Sequence, residues 1–292
     1  VCSSFSYDKL PLVSSEELQD LITLEQLNES AYHLYDIATA SEGRYGHPTR
    51  VIGSPGHWKT LGWILDTLKA LQHYYTFETQ EFDALDGKIF NYSLTIDGTD
   101  SPAKPFQLTP PAHVFDADVL IAEGYGCEIS DYSGITENSV ALVKRGTCAF
   151  GDKSAAAGSA GALGVLIYEE AVEDILSGTL GEPTPASVGT VGIPDSLAHK
   201  LIERKDTGEE LSVNLVIDSY VGYIKTKNII AETIHGDHEN VVSLGAHSDS
   251  VEAGPGINDD GSGTISLLTV AKQLTNFKVK NAVRFAWWSA EE

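Results

Sequence analysis

Five carboxylate or imidazole side chains lie where predicted secondary-structure elements end or begin. Two follow an apolar strand pattern at 241–246, one lies in a Gly- and Asp-rich loop before a predicted helix, and two end a strand pattern at 282–288. They are His247, Asp249, Asp259, Glu291 and Glu292. Because ligands bind at the carboxyl ends of strands in an open α/β sheet, we expect all five groups to meet at that edge.

These residue types suit a pair of zinc ions, for which imidazole and carboxylate are ordinary ligands. His247 is a candidate ligand, and Asp259 is placed to bridge two metals ~3.5–4 Å apart. Of Glu291 and Glu292, one can bind metal while its neighbour accepts a proton from the metal-bound water. Asp249 is placed to orient the imidazole and fix its tautomer. Taken singly, these features also fit a structural His, a solvated Glu pair, and a calcium-binding or surface loop.

The composition limits the classes of partner. The 292 residues carry 19 Lys+Arg and 42 Asp+Glu, a net charge of −23, which repels phosphate and predicts no nucleic-acid partner. No apolar run reaches the length of a membrane span, so we expect none. The sequence also lacks H-E-x-x-H, G-x-S-x-G, P-loop and complete G-x-G-x-x-G motifs.

The pattern of elements changes along the chain. Capping patterns that begin at Ser14 and Thr23 open two predicted helices near the N-terminus. Composition shifts around 101–105 and again near Tyr220, and the chain length predicts about two domains. Between the two shifts, short β-like runs surround an Ala- and Gly-rich helix at 153–160.

The last 70 or so residues carry the βαβ pattern that positions the candidate ligands. Residues 223–234 and 240–246 look like two strands, and the turn 235–237 between them predicts a hairpin. A helix with apolar residues from 265 to 274 and a buried strand at 282–288 follow. A strand, a helix and a strand of this size predict a parallel pair.

The cysteines and sequons bear on the compartment. Cys127 and Cys148 form a disulfide if the compartment oxidises, or remain two buried free thiols. Cys2 is left over, as a free thiol or as a residue near a signal-peptide cleavage point. N-glycosylation sequons begin at Asn28 and Asn91, and with the acidic composition they favour a secreted or vacuolar protein. The chain contains no Met and begins with Val, so we expect N-terminal processing.

Several segments closely resemble the secreted or vacuolar di-zinc aminopeptidases of the leucine aminopeptidase and aminopeptidase Y type. The segments are GAHSDS at 245–250, GPGINDDGSG at 254–263, VRFAWWSAEE at 283–292 and RVIGSPGH at 50–57. VALVKRGTCAF at 140–150 and AGALGV at 160–165 resemble a protease-associated (PA) domain, which such enzymes carry inserted in the catalytic domain.

The resemblance implies a fold of the α/β class. It would be a three-layer zinc-peptidase domain with a mixed, largely parallel sheet, incomplete in this chain, plus an inserted α+β PA domain. We expect the peptidase domain at 1–104 and 223–292 and the PA domain at 105–222.

The resemblance also implies a role for each candidate residue. His247 would bind one zinc, Glu292 the other, and Asp259 both, while Glu291 would be the general base and acid. The two zinc ions would hold a bridging hydroxide and polarise the scissile carbonyl. The substrates would be peptides or proteins with a free N-terminus, from which N-terminal residues are hydrolysed.

The chain departs from the family pattern after Glu292. The family has two further ligands there, an Asp and a His, together with substrate-pocket residues. Each zinc would have two protein ligands where three are expected, so we expect a truncated chain that is inactive alone. The alternatives are a non-enzymatic, receptor-like or degenerate homologue, against which the retained ligands argue, and a single-zinc relative of glutaminyl cyclases, against which the PA-like insert argues.

Overall fold

The computed structural model describes residues 6–292 and divides into two compact units. The first unit comprises the chain up to Ala84 together with Tyr223–Glu292, and the second comprises Leu85–Gly222. The junctions between these units lie at 84/85 and 222/223, where the sequence analysis expected domain boundaries at 104/105 and 222/223. Cys2 lies outside the described residues.

The described residues contain seven α-helices, ten β-strands and three short 3₁₀ turns. In chain order the elements are α1 (Ser15–Asp20), α2 (Leu24–Ala38), α3 (Glu42–Tyr45), α4 (Pro55–Ala70), β1 (Tyr75–Ile96), β2 (Thr99–Asp100), β3 (Lys104–Pro105), β4 (Ala112–Ile121), β5 (Ser139–Lys144), α5 (Phe150–Ala160), β6 (Gly164–Tyr168), β7 (Gly189–Gly192), α6 (Asp195–Asp206), β8 (Val213–Thr233), β9 (Asp237–His247), α7 (Gly261–Leu274) and β10 (Asn281–Trp288). Residues 6–292 include no helix with the length and apolar content that a membrane span requires.

Hydroxyl side chains begin the N-terminal helices of the first unit. Ser14 accepts a hydrogen bond from the third amide of α1, as the capping pattern predicts. Thr23 and Gln26 form a reciprocal capping box at the start of α2. Ser54 caps α4, with Pro in the first position, where its missing N–H has no helical partner to lose. The Ser54 cap defines the point where the segment between α3 and α4 ends and α4 begins.

β10 is the central strand of the first unit's sheet. It pairs in parallel with β9 and antiparallel with β8. The predicted β9–α7–β10 unit with its parallel pair is therefore confirmed. The predicted hairpin between β8 and β9 is wrong, because β10 lies between these two strands. Turn residues at 235–237 favoured a hairpin locally, but the long-range pairing with the more apolar β10 decides the strand order.

The core of the first unit lies between its sheet and the helices α4 and α7. Its fully buried side chains include Leu61, Leu68, Leu268, Ala271, Phe285 and Trp287. Trp287 of β10 also donates its indole N–H to the carbonyl oxygen of Thr264 on α7 (3.3 Å). Each large apolar side chain buried in this way contributes about 1.5–3 kcal/mol. This packing holds α7 over the parallel pair and fixes the edge where the candidate residues lie.

The second unit has a parallel core sheet of its own. β4, β5, β6 and β7 pair in parallel in that order, and β3 adds an antiparallel edge strand. Small residues of α5, such as Ala157, are fully buried against it. Cys127 and Cys148 form a disulfide that joins the loop after β4 to the loop before α5. Mixed sheets with packed helices in both units confirm the predicted α/β class.

Candidate metal centre

His247 is the last residue of β9 and lies at the carboxyl end of the parallel pair. Its backbone N–H donates to Asp260 (3.1 Å), and its carbonyl oxygen accepts from the hydroxyl of Thr264 (2.8 Å). Its side chain is only 10% exposed, with Nε2 directed towards the acidic residues. The strand end and the start of α7 thus hold the imidazole from both sides.

His247, Asp259 and Glu292 converge at this edge. One ligand atom from each lies within 4.8 Å of the other two. Nε2 of His247 lies 3.3 Å from Asp259 Oδ1 and 3.8 Å from Glu291 Oε2. Side chains separated by 45 positions in the sequence therefore form one cluster of imidazole and carboxylate groups.

Asp249 lies beneath this cluster, with a side chain only 1% exposed. Its carboxylate accepts hydrogen bonds from the backbone amides of Glu291 (3.4 Å) and Glu292 (3.2 Å). Ala290 makes these amides available by turning the backbone after β10 at a φ of +66°. Oδ1 of Asp249 also lies 3.6 Å from Nδ1 of His247, a buried nitrogen without a hydrogen-bond partner among the described residues. Asp249 is therefore placed to position the other members of the cluster.

Asp260 joins the loop to the helix. Its two carboxylate oxygens accept from the amides of His247 (3.1 Å) and Gly263 (3.0 Å), so it caps α7 while holding the end of β9. A Cβ at Gly263 would lie 2.2 Å from this carboxylate, and only glycine leaves room for the cap. The sequence analysis gave no role to Asp260, although the residue stands in the quoted GPGINDDGSG motif.

Arg50, from the segment before α4, is a buried cation behind the cluster. Its guanidinium donates to three carbonyl oxygens of the loop between β9 and α7, those of Ser248, Pro255 (2.7 Å) and Gly256 (2.7 Å). Burial lowers the pKa of Arg50 to about 10, against the opposing charge of Asp249, so the group stays protonated at neutral pH. One side chain thus fixes the path of the loop that carries Asp259.

His57, at the start of α4, is the second buried polar group behind the cluster. Its Nε2 lies 3.1 Å from the hydroxyl of Ser248 and 3.3 Å from that of Ser289. Burial lowers the pKa of His57 to about 4, so the ring is neutral at pH 7. The sequence analysis quoted residues 50–57 as part of the resemblance but assigned them no role. The signal was available, because an Arg and a His flank an apolar turn in that segment.

The donor set of the cluster fits a bound divalent cation. Asp259 and Glu291 expose 84% and 64% of their side chains, so neither carboxylate is taken up by protein packing. Partial burial, and then the negative charge of Asp259, raise the pKa of Glu292. A cation would relieve this mutual repulsion. One imidazole nitrogen with carboxylate oxygens is a ligand set that zinc accepts.

The remaining predicted site residues lie outside this cluster. Asn28 is exposed on α2, and Asn91 is exposed on β1. Cys127 and Cys148 belong to the second unit, where they are disulfide-bonded. These four residues take no part in the chemistry at the end of β9.

Two parts of the chain match known protein families. Residues 228–292 match Peptidase family M28, and residues 114–201 match the PA domain. The first match contains β9, α7, β10 and every residue of the candidate metal cluster. The second falls within the second unit. The predicted resemblance to these two families is thereby confirmed.

Individual relatives give the same result. The chain is 50% identical over 296 residues to aminopeptidase Y of Saccharomyces cerevisiae, covering 98% of this chain and 55% of the relative. It is 42% identical to leucine aminopeptidase 2 of Arthroderma otae, covering 97% of this chain and 55% of the relative. The chain therefore spans about half the length of these curated relatives.

Solved structures share the fold. The aminopeptidase from Aneurinibacillus sp. strain AM-1 superposes with a TM-score of 0.81 at 25% identity, covering 95% of this chain and 65% of that one. A zinc aminopeptidase from Bacillus subtilis superposes with a TM-score of 0.57 at 23% identity, covering 90% and 62%. These two similarities show that the chain shares its fold with aminopeptidases of known structure.

Proposed function

We propose that this chain is the metal-binding part of a zinc-dependent aminopeptidase, which hydrolyses N-terminal residues from peptides. The observation that carries the proposal is the convergence of His247, Asp259 and Glu292 at the carboxyl end of β9. The names of the relatives and the M28 match support the same activity. The activity belongs to the complete protein, because this chain spans 55% of the relatives' length.

We propose the division of the metal ligands that the resemblance implies. His247 would hold one zinc, Glu292 the second, and Asp259 would bridge them. Zinc, when bound, supplies Lewis acidity that polarises the scissile carbonyl and makes a water molecule more acidic. The buried Asp249 keeps the imidazole and both Glu backbones in place, which is how groups around a metal site fix the orientation of its ligands.

Glu291 is the residue we assign to proton transfer. Its carboxylate lies close to His247 Nε2, yet it is not one of the three converging ligands. A free, exposed carboxylate at this distance can take a proton from the attacking water and deliver it to the departing amine. Glu292, its neighbour, would hold the metal. Adjacent residues would thereby perform two different tasks at one strand end.

The acidic composition of the chain favours the approach of a substrate with a positively charged end. A free peptide N-terminus carries a positive charge, and the chain is strongly acidic, with a net charge of −23. Long-range attraction of this kind raises the rate of encounter. We also propose a secreted or vacuolar location, which the disulfide between Cys127 and Cys148 and the fungal relatives support.

The first test is Glu291→Gln in the complete protein. Glutamine keeps the size of the side chain and removes the proton acceptor, so we expect bound zinc to be retained and nearly all turnover of an amino-acyl chromogenic substrate to be lost. Glu239→Gln, at an exposed position of β9, is the matched control and should leave both quantities unchanged.

The outcomes separate the alternatives. Undiminished turnover in Glu291→Gln would contradict the assignment of the base while leaving the metal site intact. Zinc binding by the unmutated complete protein without hydrolysis of any peptide would instead favour the receptor-like homologue. Two zinc ions per chain by metal analysis of the complete protein would support the bridging role of Asp259.

A further inference from the structure

The outer face of α2 exposes a stripe of large apolar side chains. Leu24 is 74% exposed, Tyr32 75% and Tyr35 45%. Spacings of eight and three residues place all three on one side of the helix. The buried residues of α2 are Leu34, Ile37 and Ala38, and they lie on the adjoining side of the helix. The stripe is therefore exposed among the described residues of the chain.

Asn28 lies in the middle of this stripe. It is four residues from Leu24 and four from Tyr32, which makes it the direct neighbour of both on the helix surface. Its side chain is exposed, and its amide has no hydrogen-bond partner within residues 6–292. Asn28 is also the first residue of the sequon Asn28-Glu29-Ser30. The amide that can accept a glycan therefore lies at the centre of the stripe.

We propose that Asn28 carries an N-linked glycan whose first sugars cover the apolar stripe of α2. The co-reactant is an oligosaccharide linked to a polyprenol diphosphate. The Asn28 amide nitrogen bonds to the anomeric carbon of the sugar, the bond from that carbon to the diphosphate oxygen breaks, and the lipid diphosphate leaves as the amide loses one proton. The proposal rests on the secretory location proposed above and not on the peptidase activity.

We expect the glycan to cover the stripe because the surface of a sugar ring and that of an aromatic ring fit each other. A pyranose ring presents a face of C–H groups that stacks on an aromatic ring, and its hydroxyl groups then point towards water. Tyr32 and Tyr35 offer such rings within one or two turns of Asn28. Removing their apolar surface from water is favourable, and an uncovered apolar patch of this kind invites association between chains.

The second sequon provides the contrast. Asn91 is exposed on β1, and its neighbours Phe90 and Tyr92 are exposed aromatic residues. Successive side chains of a strand point to opposite faces, so a glycan on Asn91 extends away from both rings. The same modification at this position is therefore not directed onto these two rings. The two sequons differ in what a glycan would do, not in how accessible they are.

The experiment expresses the full chain through a eukaryotic secretory pathway and compares the unmutated chain with Asn28→Gln, Ser30→Ala and Asn91→Gln. Mass spectrometry before and after peptide-N-glycosidase digestion reports occupancy at each sequon. Sedimentation velocity and fluorescence of an apolar-binding dye report self-association and exposed apolar surface. Adding Tyr32→Ser to Asn28→Gln tests whether the stripe is the cause.

We expect a glycan at Asn28, a shift towards larger species and higher dye fluorescence in both Asn28→Gln and Ser30→Ala, and no such shift in Asn91→Gln. Tyr32→Ser should reverse the shift. An unmodified Asn28 in the secreted chain would overturn the proposal. So would equal behaviour of the Asn28 and Asn91 variants, or a shift that Tyr32→Ser leaves in place.

Discussion

Replacing Arg50 by Met is the perturbation that most directly tests how the metal-binding loop is held. Methionine keeps much of the length and apolar surface of the side chain but removes the donors. Three carbonyl oxygens, those of Ser248, Pro255 and Gly256, then lose their guanidinium partner. The positive charge near Asp249 also disappears.

The expected loss of stability follows from the number of carbonyl oxygens that lose their hydrogen-bond donor. An orphaned buried polar group costs about 1–3 kcal/mol, so three would cost roughly 3–9 kcal/mol without relaxation. Because water enters the opened loop and solvates part of this surface, we expect a loss of about 4 kcal/mol in the free energy of unfolding of the first unit. Arg50→Lys keeps the charge but lacks the planar fork, so it should recover only part of the loss.

Tryptophan fluorescence is the appropriate readout, because all four Trp residues of the chain lie in the first unit. Guanidinium unfolding of Arg50→Met and Arg50→Lys is compared with that of Arg44→Met, an exposed arginine of α3. Zinc affinity, measured by competition with a chromogenic chelator, should fall in parallel with stability in the Arg50 variants. The reasoning would be refuted if Arg50→Met lost no more free energy of unfolding than Arg44→Met. It would also be refuted if a destabilised Arg50 variant bound zinc with unchanged affinity.

Three further predictions concern other parts of the chain. The pKa of His57 is ~6.5 in the unfolded chain and about 4 in the folded protein, so the unfolded chain binds more protons between these pH values. The free energy of unfolding therefore falls by up to about 3 kcal/mol as the pH drops from 7 towards 4. In denaturant unfolding, His57→Gln should lessen that fall. Cys127→Ser with Cys148→Ser opens a loop closed across 21 positions and should cost about 3 kcal/mol in the second unit by near-UV circular dichroism, whereas no change would contradict a role in stability. Asp249→Asn should weaken zinc binding roughly 10–100-fold, and equal affinity would show that His247 is positioned without it.

The sequence allowed us to predict that the candidate residues meet at one edge, because each stands at the start or end of a strongly patterned element. His247 follows an apolar strand and Asp259 precedes a periodic helix, so a βαβ unit alone brings them to one edge. The strand order was harder to predict. The turn at 235–237 has hairpin residues, but whether β8 and β9 pair depends on where β10 inserts, which no local pattern contains.

The sequence analysis assigned no role to the two buried groups behind the cluster, for a different reason. Arg50 acts on carbonyl oxygens of residues about 200 positions away, and backbone acceptors leave no trace in a side-chain pattern. His57 looks in sequence like an ordinary residue at the start of a helix. Its burial and its two hydroxyl neighbours arise only when α4 packs behind both strand ends. Tertiary contacts of this kind require the fold to be known first.

The position of β10 governs when the candidate centre can exist during synthesis. β9 pairs with no described strand other than β10, so the strand that ends in His247 has no strand partner among the described residues until residues 281–288 are made. Residues 85–222 are continuous in sequence, and domains fold as units while the chain emerges. The second unit is therefore complete while the first is still in two separate pieces. Because Glu291 and Glu292 follow β10 in the sequence, the candidate cluster assembles only once β10 has been made and has paired with β9.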